Sequence, residues 1–255
     1  MNIYVLLKQT FDTEERIVIQ NGEVSDDGVK YVVNPYDEYA VEEALRQKDI
    51  HGGNITVISV GPDRTAEALR TALAMGADDA VLMNDDRIPA DEYSISRVLA
   101  AFLSNQSYDL ILGGNFSVDT GGGQVAVRLA QLLGIPHISS ITKLDVESGK
   151  AKVLRDAEGD TETSEVTLPA VFTAQQGLNE PRYPSLPGIM KAKKKPFQNL
   201  TLDDVGLSLA DITAKTQRLS LTLPPARKAG QMIQGDPAQQ AASLVQLLRT
   251  EAKLI

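Results

Sequence analysis

Apolar residues in this chain fall into short unbroken runs that alternate with longer stripes at helical spacing. Residues 3–7 form such a run, ending at Lys8, as expected of a strand covered on both faces. Residues 16–20 and the Asn21-Gly22 pair predict a small hairpin, after which a strand resumes at 31–33. Pro35 then breaks the strand, Asp37 is placed to cap a helix, and Ala40, Val41, Ala44 and Leu45 give that helix one apolar face. A strand at 55–60, a Gly61-Pro62-Asp63 turn and a helix with Ala66, Leu69 and Leu73 inward come next, closed by Gly76. The unit repeats: a strand at 80–83, a helix over 91–103 that stacks Ile95, Val98, Leu99, Phe102 and Leu103 on one side, and a strand at 110–112. A glycine-rich stretch at 113–124 leads into a helix marked by Val125, Leu129, Leu132 and Leu133 and ended by Gly134. Strands and helices in this alternation predict an α/β protein with a doubly wound, mostly parallel sheet.

Past a strand at 138–144 the spacing shortens, and segments at 151–155, 164–167 and 170–173 predict added antiparallel strands. The stretch 179–195 is different in composition. Pro181, Pro184 and Pro187 fix their own φ and push the residues before them toward extended backbone, predicting a stiff, non-helical surface loop as far as Gly188. Leu186 is its apolar tip, followed by Ile189, Met190 and the basic Lys191, Lys193, Lys194 and Lys195. It reads either as a docking surface or as an ordinary proline-rich connection with a solvated basic patch. After Pro196 periodicity fades until a helix over 237–248, with Ala241, Leu244, Val245 and Leu248 in a stripe. An arm with one amphipathic helix cannot build its own core, so it must pack on the domain before it or on another chain. The expected division is a nucleotide-binding α/β domain at 1–195, with its loop at 182–195, and an extended C-terminal arm at 196–255.

Composition narrows the chemistry. With 255 residues, 42% of them hydrophobic, the chain can bury a sizeable core. No apolar run approaches the roughly 18 residues of a membrane span, and the first residues lack a basic region and a cleavage site, so membrane insertion is not expected and a cytoplasmic location is. The chain has no cysteine and only two histidines, His51 and His137, which removes thiolate chemistry and leaves metal or triad chemistry poorly supplied. Both histidines read as structural, one in a turn before Gly52-Gly53 and one at a strand start. A net charge of −9 argues against general nucleic-acid binding. No GxSxG elbow, HExxH helix or Walker lysine-serine loop occurs, and no catalytic acid pair stands out.

Strand, glycine-rich loop, helix is an order that suits phosphate, because glycine backbone approaches an anion closely and the helix start offers free amides. Gly121-x-Gly123-x-x-Ala126 also fits the dinucleotide fingerprint, although it follows a late strand rather than the first. In a doubly wound sheet ligands collect at the carboxyl ends of the strands. Here those ends are 6–9, 34–37, 60–61 and 113–124, which together describe a mononucleotide pocket, or else a set of ordinary turns.

The run Asn179-Glu180-Pro181-Arg182-Tyr183-Pro184-Ser185-Leu186-Pro187-Gly188, continued through the lysines to Lys195, closely resembles the β subunits of electron transfer flavoproteins. The resemblance extends to Asn34-Pro35-Tyr36-Asp37-Glu38 with 40–44, to 69–78, to the 119–125 loop and to Leu168-Pro169-Ala170-Val171. It implies a Rossmann-like domain in an αβ heterodimer, an electron carrier rather than an enzyme. Such a carrier takes electrons from acyl-CoA and related dehydrogenases, as in fatty acid oxidation, and passes them through a quinone oxidoreductase. FAD would lie mainly in the α subunit and a structural AMP in this chain, with the arm wrapped around α. By position the AMP contacts implied are Leu6, Asn34, Pro35, Tyr36, Asp37, Val60, Gly113, Gly114, Asn115, Asp119, Thr120, Gly121, Gly122, Gly123, Gln124 and Val125. The recognition loop implied comprises Arg182, Tyr183, Leu186, Pro187, Ile189, Met190, Lys191, Lys193, Lys194 and Lys195, with Leu186 as the peg. Tyr36 would also approach the flavin ring. Some bacterial relatives hold a second, bifurcating FAD in place of AMP and exchange electrons with NADH. Two readings from other classes stand beside this one: a nicotinamide-dependent oxidoreductase using the glycine loop, and a stand-alone nucleotide-binding regulatory domain.

Overall fold

The computed structural model describes residues 1–227 and 229–255, so within the arm Lys228 lies outside the described residues. In chain order the elements are β1 (Asn2–Leu6), β2 (Gln9–Phe11), β3 (Ile19–Gln20), β4 (Glu23–Val24), β5 (Tyr31–Val33), α1 (Pro35–His51), β6 (Asn54–Val60), α2 (Thr65–Met75), β7 (Asp79–Met83), α3 (Glu92–Leu103) and β8 (Leu110–Gly114). Then come α4 (Val125–Leu133), β9 (His137–Glu147), β10 (Lys150–Ala157), β11 (Asp160–Thr167), β12 (Ala170–Ala174), α5 (Leu186–Ala192), β13 (Phe197–Leu200), a 3-10 turn (Leu209–Ile212) and α6 (Pro237–Thr250). The main sheet has nine strands in the order β11-β10-β9-β12-β8-β1-β6-β7-β13. Those from β9 to β13 pair in parallel, and β10 and β11 add antiparallel strands at one edge.

The first strand shows why the sheet is covered on both sides. Ile3, Val5 and Leu7 point into one core cluster with α1 and α2 residues such as Val41, Ala44, Leu69 and Leu73. Tyr4 and Leu6 point into the other, with Val98, Leu99 and Leu103 of α3 and Leu129 and Ala130 of α4. An unbroken apolar run is what such a strand requires. The order reverses at β1: β6 and β7 extend the sheet to one side, and the chain then crosses to β8 on the other. The Asn21-Gly22 turn joins β3 to β4 with φ of 53° and 79°, both left-handed as a two-residue hairpin of this kind demands.

Two expectations are corrected. Residues 170–173 are not an added antiparallel strand. β12 is parallel and central, between β8 and β9, with every residue buried, so its apolar run reflects two covered faces. The histidine assigned to a turn, His51, is the exposed last residue of α1, while His137 does open β9.

Beyond the loop, the chain does not leave the domain at once. β13 pairs with β7, Leu202 and Ile212 are fully buried, and Asp91 at the start of α3 accepts from the amide of Thr216 at 3.1 Å. Further on, no residue of α6 is buried, and Leu219, Met232 and Leu254 are 91%, 87% and 74% exposed. No helix among the described residues is long and apolar enough to cross a membrane.

Phe172 is the largest wholly buried side chain and sits on the central β12. Phe172→Ala is expected to lower stability by about 3–5 kcal/mol, read from the denaturant midpoint.

Candidate functional site: a strand-end pocket and a clasped loop

The carboxyl ends of β1 and β8 meet at the point where the strand order reverses, and one side chain ties them to the start of α1. Asp37 is buried, and its Oδ2 accepts from the amide of Lys8 at 2.6 Å. Its Oδ1 accepts from the amide of Gly114 at 3.0 Å and from Asn34 Nδ2 at 3.1 Å. The expected cap therefore sits one turn inside the helix and serves the ends of two strands instead. Asn34 occupies the cap position, yet its side chain too is spent on the loop: Nδ2 donates to the Phe116 carbonyl at 3.0 Å, and Oδ1 accepts from the Val118 amide at 3.2 Å. Gly114 must be glycine, because a Cβ there would lie 2.2 Å from Asp37 Oδ1 and 2.8 Å from the Tyr36 backbone.

The loop from β8 to α4 folds on itself. The Gly121 amide donates to the Ser117 carbonyl at 2.8 Å and the Ser117 amide to the Gly122 carbonyl at 2.9 Å. Ser117 Oγ lies 2.8 Å from Thr120 Oγ1. A Cβ on Gly123 would come within 2.8 Å of the Asn115 carbonyl oxygen. Lys8, the second residue past β1, reaches over this loop, with Nζ 2.8 Å from Asp119 Oδ1 and 3.3 Å from Ser117 Oγ. From the other side Glu92, the first residue of α3, accepts from the Gln124 amide at 2.8 Å.

The structure thus brings together Leu6, the turn Asn34, Pro35, Tyr36 and Asp37, and the stretch from Gly113 and Gly114 through Asn115, Asp119, Thr120, Gly121, Gly122, Gly123 and Gln124 to Val125. Val60 ends β6, the strand beside β1, and takes no part in these hydrogen bonds. Two further neighbours lie inside the strand ends read from the sequence but carry no role of their own there, and a third, Glu92, lies outside them. Phe116 packs its ring against Tyr36 with centroids 4.3 Å apart, and an aromatic inside a glycine-rich loop was the available signal. Lys8 falls within the strand end 6–9, without a contact assigned to it from the sequence. Glu92 carried no signal. A groove of about 640 Å³ lies elsewhere, lined by the last turns of α1 and the β9–β10 hairpin, and holds none of the predicted residues.

The proline segment is clasped to the middle of α1. Arg182 donates through Nε and an Nη to the two oxygens of buried Glu42 at 2.8 and 2.9 Å, and its amide adds a third bond at 3.1 Å. Asn179 Nδ2 donates to Glu43 Oε2 at 3.1 Å and to the Tyr39 carbonyl at 3.0 Å. The loop is not non-helical to Gly188: α5 starts at Leu186, because Ser185 Oγ accepts from the Gly188 amide at 3.1 Å and Pro187 falls in the first turn, where its missing N–H costs nothing. Leu186, Met190 and Tyr183 are 80%, 73% and 94% exposed, and Ile189 is half exposed. Lys191, Lys193 and Lys194 are exposed, whereas Lys195 turns inward to donate to the carbonyls of Leu73 and Ala77 at the end of α2.

The architecture defines the class: a Rossmann-like α/β protein with a glycine loop at the switch point of its sheet. The chain belongs to the electron transfer flavoprotein family. The family's electron transfer flavoprotein domain matches residues 22–205. A protein of Bacillus subtilis named electron transfer flavoprotein subunit beta is 56% identical over 257 aligned residues, covering all of both chains. Proteins of the same name from Syntrophomonas wolfei and Bradyrhizobium diazoefficiens are 40% and 36% identical, covering all of this chain and 98% and 100% of their own.

Burial pushes the Asp37 carboxyl up from its ordinary 3.8 to about 7, against the pull of its three donors and of the Lys8 charge. The unfolded chain releases that proton near 3.8, so between that value and about 7 the folded state binds more protons. Stability is therefore expected to fall as pH rises through this window and to level off above it. Asp37→Asn should flatten the slope in urea titrations and leave at least one buried donor without an acceptor, at about 1–3 kcal/mol. Glu42→Ala should leave that slope intact while speeding amide hydrogen exchange across 179–188.

Proposed function

We propose that this chain is the β subunit of a heterodimeric electron transfer flavoprotein, an electron carrier without substrate turnover of its own. The observation that carries the reading is the 56% identity, over the whole of both chains, to the Bacillus subtilis protein named electron transfer flavoprotein subunit beta. FAD, held mainly by an α subunit, supplies the redox chemistry when bound. This chain holds an AMP on Leu6, the turn at 34–37, Val60 and the loop at 113–125. The left-handed φ of 65° at Gly121 and the close approach of Gly123 to Asn115 support a cradle that side chains would fill. The apolar residues left bare on the arm, Leu219, Met232 and Leu254, and the uncovered α6 support a partner chain wrapped by residues beyond Arg218, which pairs with Glu23.

Electrons arrive from acyl-CoA and related dehydrogenases and leave through a quinone oxidoreductase, in the cytoplasm. The dehydrogenase docks on α5 with Leu186 in an apolar pocket, and the exposed Lys191, Lys193 and Lys194 speed encounter. Arg182 and Lys195 act behind this surface, holding the loop in place.

Co-expression with the α subunit and nucleotide extraction tests the reading: one FAD and one AMP per heterodimer is expected, and two FAD would replace AMP by a bifurcating flavin with NADH as donor. Leu186→Ala is expected to weaken dehydrogenase binding by about 2 kcal/mol, roughly thirty-fold, with assembly and flavin content unchanged. Equal electron acceptance by variant and parent would remove Leu186 from the docking role.

A further inference from the structure

The sequence points to the loop amides and the start of α4 as the place for a phosphate. In the structure many of those donors are already in use. The amides of Ser117 and Gly121 donate within the loop, the Val118 amide donates to Asn34, and the Gln124 amide donates to the carboxylate of Glu92. That carboxylate also places a negative charge against the helix end that would otherwise attract an anion. Positive charge enters the loop from the opposite side. The Lys8 ammonium is fixed there by Asp119 Oδ1 at 2.8 Å and Ser117 Oγ at 3.3 Å, beside Thr120 Oγ1, which bonds Ser117. The lysine's backbone is anchored beside the loop, its own amide bound to buried Asp37.

We infer that Lys8 is the specificity-determining residue of the nucleotide pocket: its ammonium exchanges Asp119 for the phosphate of the nucleotide and so selects a nucleoside monophosphate over the bare nucleoside. The inference rests on the pocket reading above and adds to it the group that recognises the charge. Ser117 and Thr120 supply neutral hydroxyls beside the ammonium, and Asp119 is the internal anion that holds the lysine in place until phosphate arrives. A charge-assisted hydrogen bond of this kind accounts for a preference of about ten-fold or more.

The test uses the co-expressed heterodimer depleted of its nucleotide and titrated calorimetrically with AMP and with adenosine. The parent should prefer AMP by at least about ten-fold. Lys8→Gln should bind both alike, with adenosine affinity unchanged, and Lys8→Arg should restore the preference. Asp119→Asn removes the competing anion and should tighten AMP without altering adenosine. An undiminished preference in Lys8→Gln overturns the inference while leaving the AMP pocket standing. If Lys8→Gln does not assemble, Asp119→Asn decides, and AMP affinity no tighter than the parent's overturns it. A parent that binds neither compound and yields only FAD overturns the pocket reading and the Lys8 role together.

Discussion

Three donors converge on the carboxylate of Asp37, and they come from three separate stretches of chain: the end of β1, the start of α1 and the end of β8. The two strand ends lie at the switch point of the sheet, where the backbone leaves its ladder and its amides lose their partners. Some group had to accept them out of reach of water. A single buried acid does so, at the cost of a carboxyl pushed up to about 7 by its surroundings. The loop hung from this point inherits its place: Gly114 passes within contact distance of Asp37 and Tyr36, and Asn34 takes up the next carbonyl and amide, those of Phe116 and Val118.

The same helix that supplies Asp37 supplies Glu42 and Glu43, about one and a half turns further on. The pocket and the proline segment are therefore two attachments to one rigid element. Two of the sequence runs that carried the family resemblance, around 34–44 and 179–188, are halves of one clasp. Their acids and Arg182 and Asn179 match because they bond one another. Proline content made the segment look self-supporting, yet its direction is set from outside by Arg182 on Glu42, by Ser185 capping α5 and by Lys195 on the end of α2. That support leaves Leu186 and Met190 bare on a short helix that cannot fold back to bury them.

Much of the fold was legible because period and burial agree. The apolar runs at β1, β6 and β8 and the striped helices between them predicted a doubly wound sheet, and the sheet is there. β12 was misread because neighbouring segments alternate, and an apolar run as short as Ala170-Val171-Phe172 does not declare which strands flank it. In the pocket, the residue types at strand ends were legible and their partners were not. Asp37 three places after Asn34 looks like a cap, and only the crossing of β8 beside β1 turns it toward Lys8 and Gly114. The glycine fingerprint looked displaced because it follows a late strand. In the sheet β8 is the neighbour of β1, so a late strand and the first one deliver their loops to the same place.

The arm shows how far a chain can be read from what it fails to cover. Up to Thr216 each apolar or polar anchor finds a partner in the domain: β13 on β7, Ile212 under α3, Thr216 on Asp91. Arg218 still pairs with Glu23. Beyond it Leu219, Met232 and Leu254 stay bare, and α6 is built like a packed helix, with Asp236 and Gln239 forming a reciprocal cap around Pro237, yet it buries no residue. A well-capped helix with an apolar stripe is made to lie against something. The two core clusters close without those residues, so the bare stripe of α6 is the surface that the proposed partner chain would cover.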